Sequence, residues 1–555
     1  MEHMTGAEII IRLLEKQGVR IIAGIPGGAN LPIYHALSKS PIRHILARHE
    51  QGAGFIAQGM ARSTGRAAVC FGTSGPGATN LITAIADAKL DSVPVVAITG
   101  QVPTGMIGTD AFQEVDTYGM TVPITKHNFL VRSAEELLRV LPEAFRIAES
   151  GRPGPVVVDV PKDVQKASVP VHALPDMTPP ERPERPLDKG VIDRFHAMIR
   201  KARKPVLLIG GGVIVSDAAD RILGFARKAQ IPAAATLMGL GCFPPDDPLY
   251  IGMVGMHGAR ATNMLMEEAD LVIALGMRFD DRATGRVDGF LPNASIIHID
   301  VDRSEIDKIK PAALSIESDL SHALDRLLPE TDSASRPEWT GRVQSLKKSH
   351  AFQPPRTDDP YHPIHLLRTI HTLADPDAIY TTDVGQHQMW AAQWIPVSKP
   401  RRFLTSGGLG TMGFGMPAAI GAALAHPDKQ VICISGDGSF LMNLQELATI
   451  RDHNLNVKIL ILNNGSLGLV RQQQEYFYDK VYHGSRFESS PDFAAIALGF
   501  GIRSQRLEET VRPSDALKQA LNASGPVLLD IPVHPGENVT PMVPPGSANI
   551  VMIGE

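Results

Sequence analysis

Near-continuous apolar runs, each closed by Gly, Asp, Asn, Pro or Thr, recur along the chain: AAVCFGT, VPVVAITG, PVVVDVP, PVLLIGGG, DLVIALG, SIIHIDVD, QVICISGDG and VKILILNN. They are rich in Val and Ile and show little polar alternation, the pattern of strands buried on both faces. Helical stretches lie between them. The first, IIIRLLEKQG, is preceded by TGAE, which places Thr5 and Glu8 at capping-box spacing and Gly18 at the expected stop. The alternation predicts an α/β protein of mainly parallel, doubly wound sheets.

Two polar, Pro-rich stretches interrupt the pattern, at 173–189 and from about 330 to 363, and read as linkers. They leave blocks at 1–170, 190–330 and 363–555, which suits 555 residues at roughly 100–200 per domain. The first and third blocks share an order of features. VCFGTSGPGATNLITAIADAKLDSVPVVAITG and VICISGDGSFLMNLQELATIRDHNLNVKILILNN both read strand, Gly-rich loop, helix, strand. A Gly-rich helix precedes each, GAGFIAQGMARSTG in one and GTMGFGMPAAIGAALA in the other. Convergent βαβ patterning and duplication both produce this; duplication predicts a ligand held between two similar domains.

Composition narrows the function classes. With 43% hydrophobic residues, 20% charged residues and a net charge of -5, the chain is an ordinary globular protein without a basic nucleic-acid footprint. Its three cysteines are far apart and form no Cys-x-x-Cys, so neither a zinc site nor a disulfide framework is suggested; Cys70 and Cys433 read as small buried hydrophobes. No apolar run reaches the roughly 18 residues of a membrane span, and no signal pattern opens the chain. A cytoplasmic protein without nucleic-acid or membrane partners is expected.

The chemistry concentrates in a few stretches. SGDGSFLMNLQE follows a strand run, and a strand, Gly-rich turn and helix present backbone N–H groups to an anion. Asn464 in LNNGS lies about 27 residues beyond Asp437, one βαβ step, so parallel strands bring both to the sheet's carboxyl edge. A carboxylate, an amide and a backbone carbonyl suit Mg²⁺. Gly-Asp-Gly alone is equally a plain turn. In RHEQGAGFIAQGMARSTG, Glu50 heads a segment where Gly52, Gly54 and Gly59 each weaken a helix by up to about 1 kcal/mol, so a close approach is expected. Glu50 taken alone also reads as a helix N-terminal charge. The middle block has Gly210, Gly211 and Gly212 after one strand and Asp300 and Asp302 ending another, a nucleotide-type arrangement without G-x-G-x-x-G.

Together with IPGG (25–28), TSGPGATN (73–80), GTDAFQE (108–114), GRPGPV (151–156), PKDVQ (161–165), LGMRFDDR (275–282), TDVGQHQMW (382–390) and GGLGTMGFG (407–415), these stretches resemble the acetohydroxyacid synthase (acetolactate synthase) catalytic subunits, a thiamine-diphosphate-dependent family. The resemblance spans all three blocks. It implies a pyruvate oxidase/decarboxylase-like architecture: a pyrimidine-binding domain (1–170), a central FAD-binding-type domain (190–330) and a diphosphate/Mg²⁺ domain (363–555). It implies thiamine diphosphate, Mg²⁺ and an FAD without net redox role. The implied reaction removes CO₂ from pyruvate and joins the two-carbon remainder to a second 2-keto acid. Pyruvate gives 2-acetolactate and 2-ketobutyrate gives 2-aceto-2-hydroxybutyrate, in branched-chain amino-acid biosynthesis.

By this resemblance Glu50 meets the cofactor's aminopyrimidine ring and prompts loss of its thiazolium C2 proton, with Gly52, Gly54 and Gly59 beside the cofactor and a subunit interface. Gln113 matches an amide near the reacting oxygens, Phe112 and Val384 apolar walls, Met412 the residue that keeps the cofactor bent, and Lys162 a lysine by the substrate channel. Arg278 matches an arginine for the second substrate's carboxylate and for FAD; a surface ion pair with Asp280 or Asp281 is its alternative. Thiamine diphosphate contacts carry over to Pro26, Gly27, Thr73, Pro76 and Asn80, and to Gly385, Gln386, His387 and Gly410. Its diphosphate end falls to Gly436, Asp437, Gly438, Ser439, Asn464, Ser466, Leu467 and Gly468, with Asp437, Asn464 and Ser466 on the metal. FAD contacts carry over to Arg152, Gly211, Gly212, Thr236 and Leu237, and to Met256, His257, Gly258, Gly276, Asp300 and Asp319.

One position departs from the family. In LVRQQQEYF, Gln473 stands where most members carry Trp, which favours the extra methyl of 2-ketobutyrate. An apolar pocket discriminates one methylene by about 1–3 kcal/mol, and an amide removes much of that, so weak preference for 2-ketobutyrate is expected. Other carboligases, decarboxylases and oxidases of the same fold compete with this reading, and the middle block alone also fits a flavin or nicotinamide oxidoreductase. The resemblance further implies a homodimer or higher, with the cofactor between the first block of one chain and the third of its partner, and a small regulatory subunit.

Overall fold

All eight apolar runs form strands of parallel sheets in the computed structural model, which describes residues 2–177, 186–508 and 512–554. Residues 178–185 of the first Pro-rich stretch lie outside the described residues. Each block carries one six-stranded sheet. The first contains, in chain order, Ile21–Gly24, Arg43–Leu46, Ala68–Gly72, Val95–Gln101, His127–Leu130 and Val156–Pro161. Across the sheet they run second, first, third, fourth, sixth, fifth. The third sheet, of Ile379–Thr382, Phe403–Leu404, Val431–Gly436, Val457–Asn463, Arg503–Arg506 and Val527–Pro532, has the same order. A shared order over six strands favours duplication over convergent patterning.

The middle sheet differs. Pro205–Ile209, Ala233–Ala235, Tyr250–Met253, Leu271–Leu275, Ser295–Asp300 and Leu314–Glu317 run third, second, first, fourth, fifth, sixth, the order of dinucleotide-binding sheets. Open sheets bind ligands where the order reverses, outside the strands' carboxyl ends. In the outer sheets that crevice follows Gly24 and Gly72, and Thr382 and Gly436; in the middle sheet it follows Ile209 and Leu275. The glycine-rich turns after Gly24, Gly72, Gly436, Ile209 and Leu275 therefore emerge at switch points.

The first helix, Gly6–Lys16, has its capping box: Thr5 N–H donates to Glu8 Oε2 at 2.8 Å and Glu8 N–H to Thr5 Oγ1 at 3.2 Å. Gly18 follows with a φ of +83°. The single helix expected after Gly-Asp-Gly is broken. Asp437–Phe440 is one turn, and Leu447–Asp452 resumes after a tight turn at Leu444–Glu446. Asn443 and Glu446 are drawn out of the helix to bind Gly413 O and the Arg48 N–H.

The close approach expected at Gly52, Gly54 and Gly59 is present, and within the chain it is made to other segments of the same fold. A Cβ on Gly59 would fall 2.1 Å from Ala418 O, and one on Gly421 would fall 2.1 Å from Ile56 O. Helices Glu50–Thr64 and Gly415–Ala425 thus cross backbone on backbone. A Cβ on Gly54 would meet Ala84 and one on Gly52 the Glu446 carboxylate, each at 2.5 Å. Cys70, Cys242 and Cys433, one in each block, are all buried. Among the described residues no helix is long and apolar enough to cross a membrane.

Glycine-to-alanine changes should therefore differ in sign by position. Gly59→Ala gains helix propensity but overpacks a backbone crossing, and is expected to cost about 1–3 kcal/mol. Gly224→Ala, in helix Ala219–Ala229 with open space at its Cβ, should stabilise by about 0.4–1 kcal/mol. Shifts of the thermal unfolding midpoint in opposite directions check this.

Candidate active site

At the third sheet's switch point, Asp437 opens the one-turn helix and is buried. Its Oδ2 has no hydrogen-bond partner, and burial pushes the acid up to about 6, against the opposing pull of the nearby backbone N–H groups of Gly438, Gly465 and Ser466. Asn464 Oδ1 accepts from Ser466 N–H at 3.1 Å and its hydroxyl at 3.2 Å; Asn464 Nδ2 donates to Gln386 Oε1 at 3.1 Å. A Cβ on Gly468 would fall 2.1 Å from that same Gln386 oxygen, and one on Gly438 2.8 Å from Leu467. Cβ atoms on Gly385 and Gly436 would each fall 2.8 Å from the His387 ring, which burial holds neutral by lowering its pKa to about 3. Ser439 Oγ donates to Val384 O at 2.7 Å. Gly410 lies beside Val384, with a φ of +69°. The third-block expectations from Val384 to His387, at Gly410, from Gly436 to Ser439 and from Asn464 to Gly468 thus converge.

These residues fit a hard cation. A buried carboxylate oxygen without a donor is costly to the protein alone and suits Mg²⁺. Among the described residues no group of three His, Cys, Asp or Glu could hold a metal, so such an ion would rest on Asp437 and neutral oxygens, with phosphate completing the set.

At the first sheet's switch point, Glu50 is 8% exposed and accepts from Asn80 Nδ2 at 2.9 Å. A Cβ on Gly77 would fall 3.3 Å from Glu50 Oε1, and one on Gly27 would fall 2.5 Å from Thr73. Pro26 and Pro76, both exposed, border this cluster in sequence. Gln113 has a φ of +60° and seats its carbonyl on Gly75, where a Cβ would lie 2.8 Å away. Glu114 gathers the N–H groups of Gly108, Thr109 and Ala111, folding the loop so that Phe112 is 87% exposed. Lys162 is half-buried at the start of helix Lys162–Lys166. Among the described residues no hydrogen bond joins the Glu50 cluster to the Asp437 cluster within the chain.

Met412 and Gln473 are half-buried, the latter on helix Gly468–Phe477 beside Gln472, whose Oε1 accepts from Gln386 at 2.9 Å. Two buried carboxylates escaped the sequence reading. Asp383 Oδ1 accepts from Gly413 N–H at 2.8 Å and fixes the chain beside Met412; its signal is an acid closing the strand YTTD. Glu446 Oε1 accepts from the N–H groups of Arg48 and His49 at 2.8 and 3.0 Å, tying down the two residues before the helix that Glu50 begins, which His49 Nδ1 caps by accepting from Gln51 N–H at 3.1 Å. No local pattern marks it.

The middle sheet's switch point opens into a cavity lined by Gly211, Gly212, Thr236, Leu237, Gly276, Arg278, Asp300, Asp319 and Arg152. Its glycines first serve loop packing, since a Cβ on Gly212 would fall 2.7 Å from Gly276 Cα. Burial raises Asp300 to about 6, and Asp319 caps helix Leu320–Leu327. Arg152 already pairs with Glu305 at 2.7 Å and Asp302 at 3.1 Å. Met256, His257 and Gly258 are not among these lining residues. Met256 bonds the backbones of Arg282 and Val543, and His257 O accepts from Gln393. The ion-pair alternative for Arg278 is not seen among the described residues: Asp280 caps Asp281–Thr284 and Asp281 faces Arg282.

Family models described as thiamine pyrophosphate enzyme domains match in sequence along the chain: the N-terminal TPP binding domain at 4–120, the central domain at 192–327 and the C-terminal TPP binding domain at 383–531. The acetolactate synthase isozyme 1 large subunit of Escherichia coli is 53% identical over 555 residues, covering 100% of this chain and 98% of that one. The isozyme 2 large subunit of the same organism is 46% identical, covering 99% of each. The acetolactate synthase large subunit of Corynebacterium glutamicum is 47% identical, covering 99% of this chain and 90% of its own length.

The Asp437 geometry yields a direct test. Outer-shell changes cost metal affinity about 10–100-fold, so Asp437→Asn should weaken Mg²⁺-supported thiamine diphosphate binding by about 100-fold or more. Calorimetric titration measures it, with the circular dichroism spectrum unchanged.

Proposed function

Because the chain belongs to the family of acetolactate synthase large subunits, which are thiamine pyrophosphate enzymes, we propose that the two switch-point clusters are the halves of its carboligase site. The reaction takes CO₂ from pyruvate and joins the remaining two-carbon unit to a second 2-keto acid, yielding 2-acetolactate from pyruvate or 2-aceto-2-hydroxybutyrate from 2-ketobutyrate. Thiamine diphosphate, when bound, supplies the electron sink for that decarboxylation and ligation. The observation that carries the site assignment is the Asp437 carboxylate oxygen, buried without a donor beside Asn464.

The chain's own residues then divide the work. Asp437, Asn464 and Ser466 would hold Mg²⁺ against a diphosphate, with Gly436, Gly438 and Gly468 leaving room for backbone approach. Glu50, oriented by Asn80 and placed by the capped start of its helix, holds and returns a proton at its carboxylate. Gln113 donates to a substrate oxygen, Phe112 and Val384 exclude water, and Lys162 and Arg278 attract the carboxylates of 2-keto acids.

Among the described residues no hydrogen bond joins the Glu50 and Asp437 clusters within one chain, and Phe112 stands exposed beside the first. This supports a dimer in which Glu50 of one chain faces Asp437 of the next. The relatives' description as large subunits supports a small regulatory partner. FAD in the middle cavity is structural, and the cytoplasm is the site of action.

Glu50→Gln should fold and bind both cofactors yet lose about 10²–10⁴-fold in acetolactate formation from pyruvate. Wild-type turnover in that variant refutes the role. In competition between the two keto acids, the native chain should show little preference for 2-ketobutyrate, and Gln473→Trp should raise that preference by about 10-fold or more. A strong native bias sinks the reading of Gln473.

A further inference from the structure

The segment that carries Gly410 and Met412 is held from outside. At its turn stand Gly407, Gly408 and Gly410, which offer no side chains to pack. Asp91 Oδ1 accepts from Gly408 N–H at 2.7 Å, and Asp91 Oδ2 from Gly407 N–H at 2.9 Å. Asp87 Oδ1 accepts from the Ser406 hydroxyl and, at 2.9 Å, from the Thr411 hydroxyl. Arg62 joins the pair, at 3.1 Å from Asp87 and 2.8 Å from Asp91, and donates to Thr405 O at 3.0 Å. Both carboxylate side chains are fully buried. One guanidinium thus faces two carboxylates, and the donors that satisfy the excess acceptors come from residues 406–411. A buried carboxylate left short of donors is costly, so this segment and these acids hold each other.

The other side of the segment faces the middle sheet's cavity. A Cβ on Gly407 would fall 2.4 Å from Met238 Sδ; one on Gly408 would fall 2.9 Å from Leu90 Cβ and 3.3 Å from an Arg278 nitrogen. Met238, Leu90 and Arg278 line that cavity, as do Arg62, Asp91 and Thr405. The same side chains that wall the cavity therefore seat the backbone leading to Gly410 and Met412.

We propose that Arg62, Asp87 and Asp91 are positioning residues that couple occupancy of the middle cavity by a flavin dinucleotide to affinity of the third sheet's switch point for thiamine diphosphate. A ligand held against Met238 and Arg278 fixes Gly407 and Gly408, and the two carboxylates carry that order to Thr411. This gives a dinucleotide that exchanges no electrons a mechanical task. The inference rests on the reading above that the chain takes both cofactors.

The test uses the full chain stripped of cofactors. Thiamine diphosphate with Mg²⁺ is titrated calorimetrically with and without saturating FAD, and FAD by its fluorescence with and without thiamine diphosphate. Each cofactor should tighten the other by the same factor, about tenfold, because binding linkage is reciprocal. Thr411→Val removes one hydroxyl donor and lies outside the cavity lining; it should reduce the factor to about twofold or less while FAD affinity alone stays within about twofold of native. Asp91→Asn, which turns one acceptor into a donor, should abolish the coupling; if it does not fold, Thr411→Val decides. Independent binding in the native chain, or native coupling in Thr411→Val, overturns the proposal. Failure to bind either cofactor overturns instead the reading on which it rests.

Discussion

Two helices whose backbones touch set the geometry of this molecule. At Gly59 against Ala418 and Gly421 against Ile56, no side chain stands between the helices, so no rotamer can absorb a change in their distance. The first of these helices begins with Glu50 at one switch point. The second follows directly on the segment bearing Gly410 and Met412. The crossing therefore fixes how the first sheet's ligand edge stands relative to the third sheet's, and the loops of both build out from it.

Carboxylates do what side-chain packing cannot do along glycine-rich backbone. Asp383, Asp91 and Glu446 each collect backbone N–H groups from segments remote in sequence, and Asp87 collects hydroxyls. Such charge-assisted bonds are strong and directional where apolar contact is missing. Asp437 differs in one respect: one of its buried oxygens is left without a donor. A fully satisfied buried acid serves architecture; at a switch point, an oxygen left short of donors suits a cation.

What could be read from the sequence is what depends on neighbours a few residues away. The apolar runs gave the strands, TGAE gave the capped first helix, and the Gly-Asp-Gly to Asn-Asn spacing brought Asp437 and Asn464 together. The partners of Gly52, Gly54 and Gly59 were not legible, because close approach leaves a mark on one helix only and does not name the other. Local pattern predicts one continuous helix after Gly-Asp-Gly; it is broken because Asn443 and Glu446 are recruited by Gly413 and Arg48, which lie in other segments. Met256, His257 and Gly258 follow an edge strand, and Met256 bonds the backbones of Arg282 and Val543, a pairing across remote segments that no local pattern announces. Strand order, which put the dinucleotide arrangement in the middle block, is a long-range property that periodicity does not encode.

The three cysteines, one to each block, give this architecture an internal record of its own opening. Burial pushes the thiols of Cys70 and Cys242 up to about 12 and raises that of Cys433 as well. Alkylation and oxidation proceed through the thiolate, so all three are chemically silent while their surroundings stay closed. Each becomes reactive only when its own part of the chain parts from its neighbours. The order in which they take up a thiol reagent is therefore the order in which the blocks come undone.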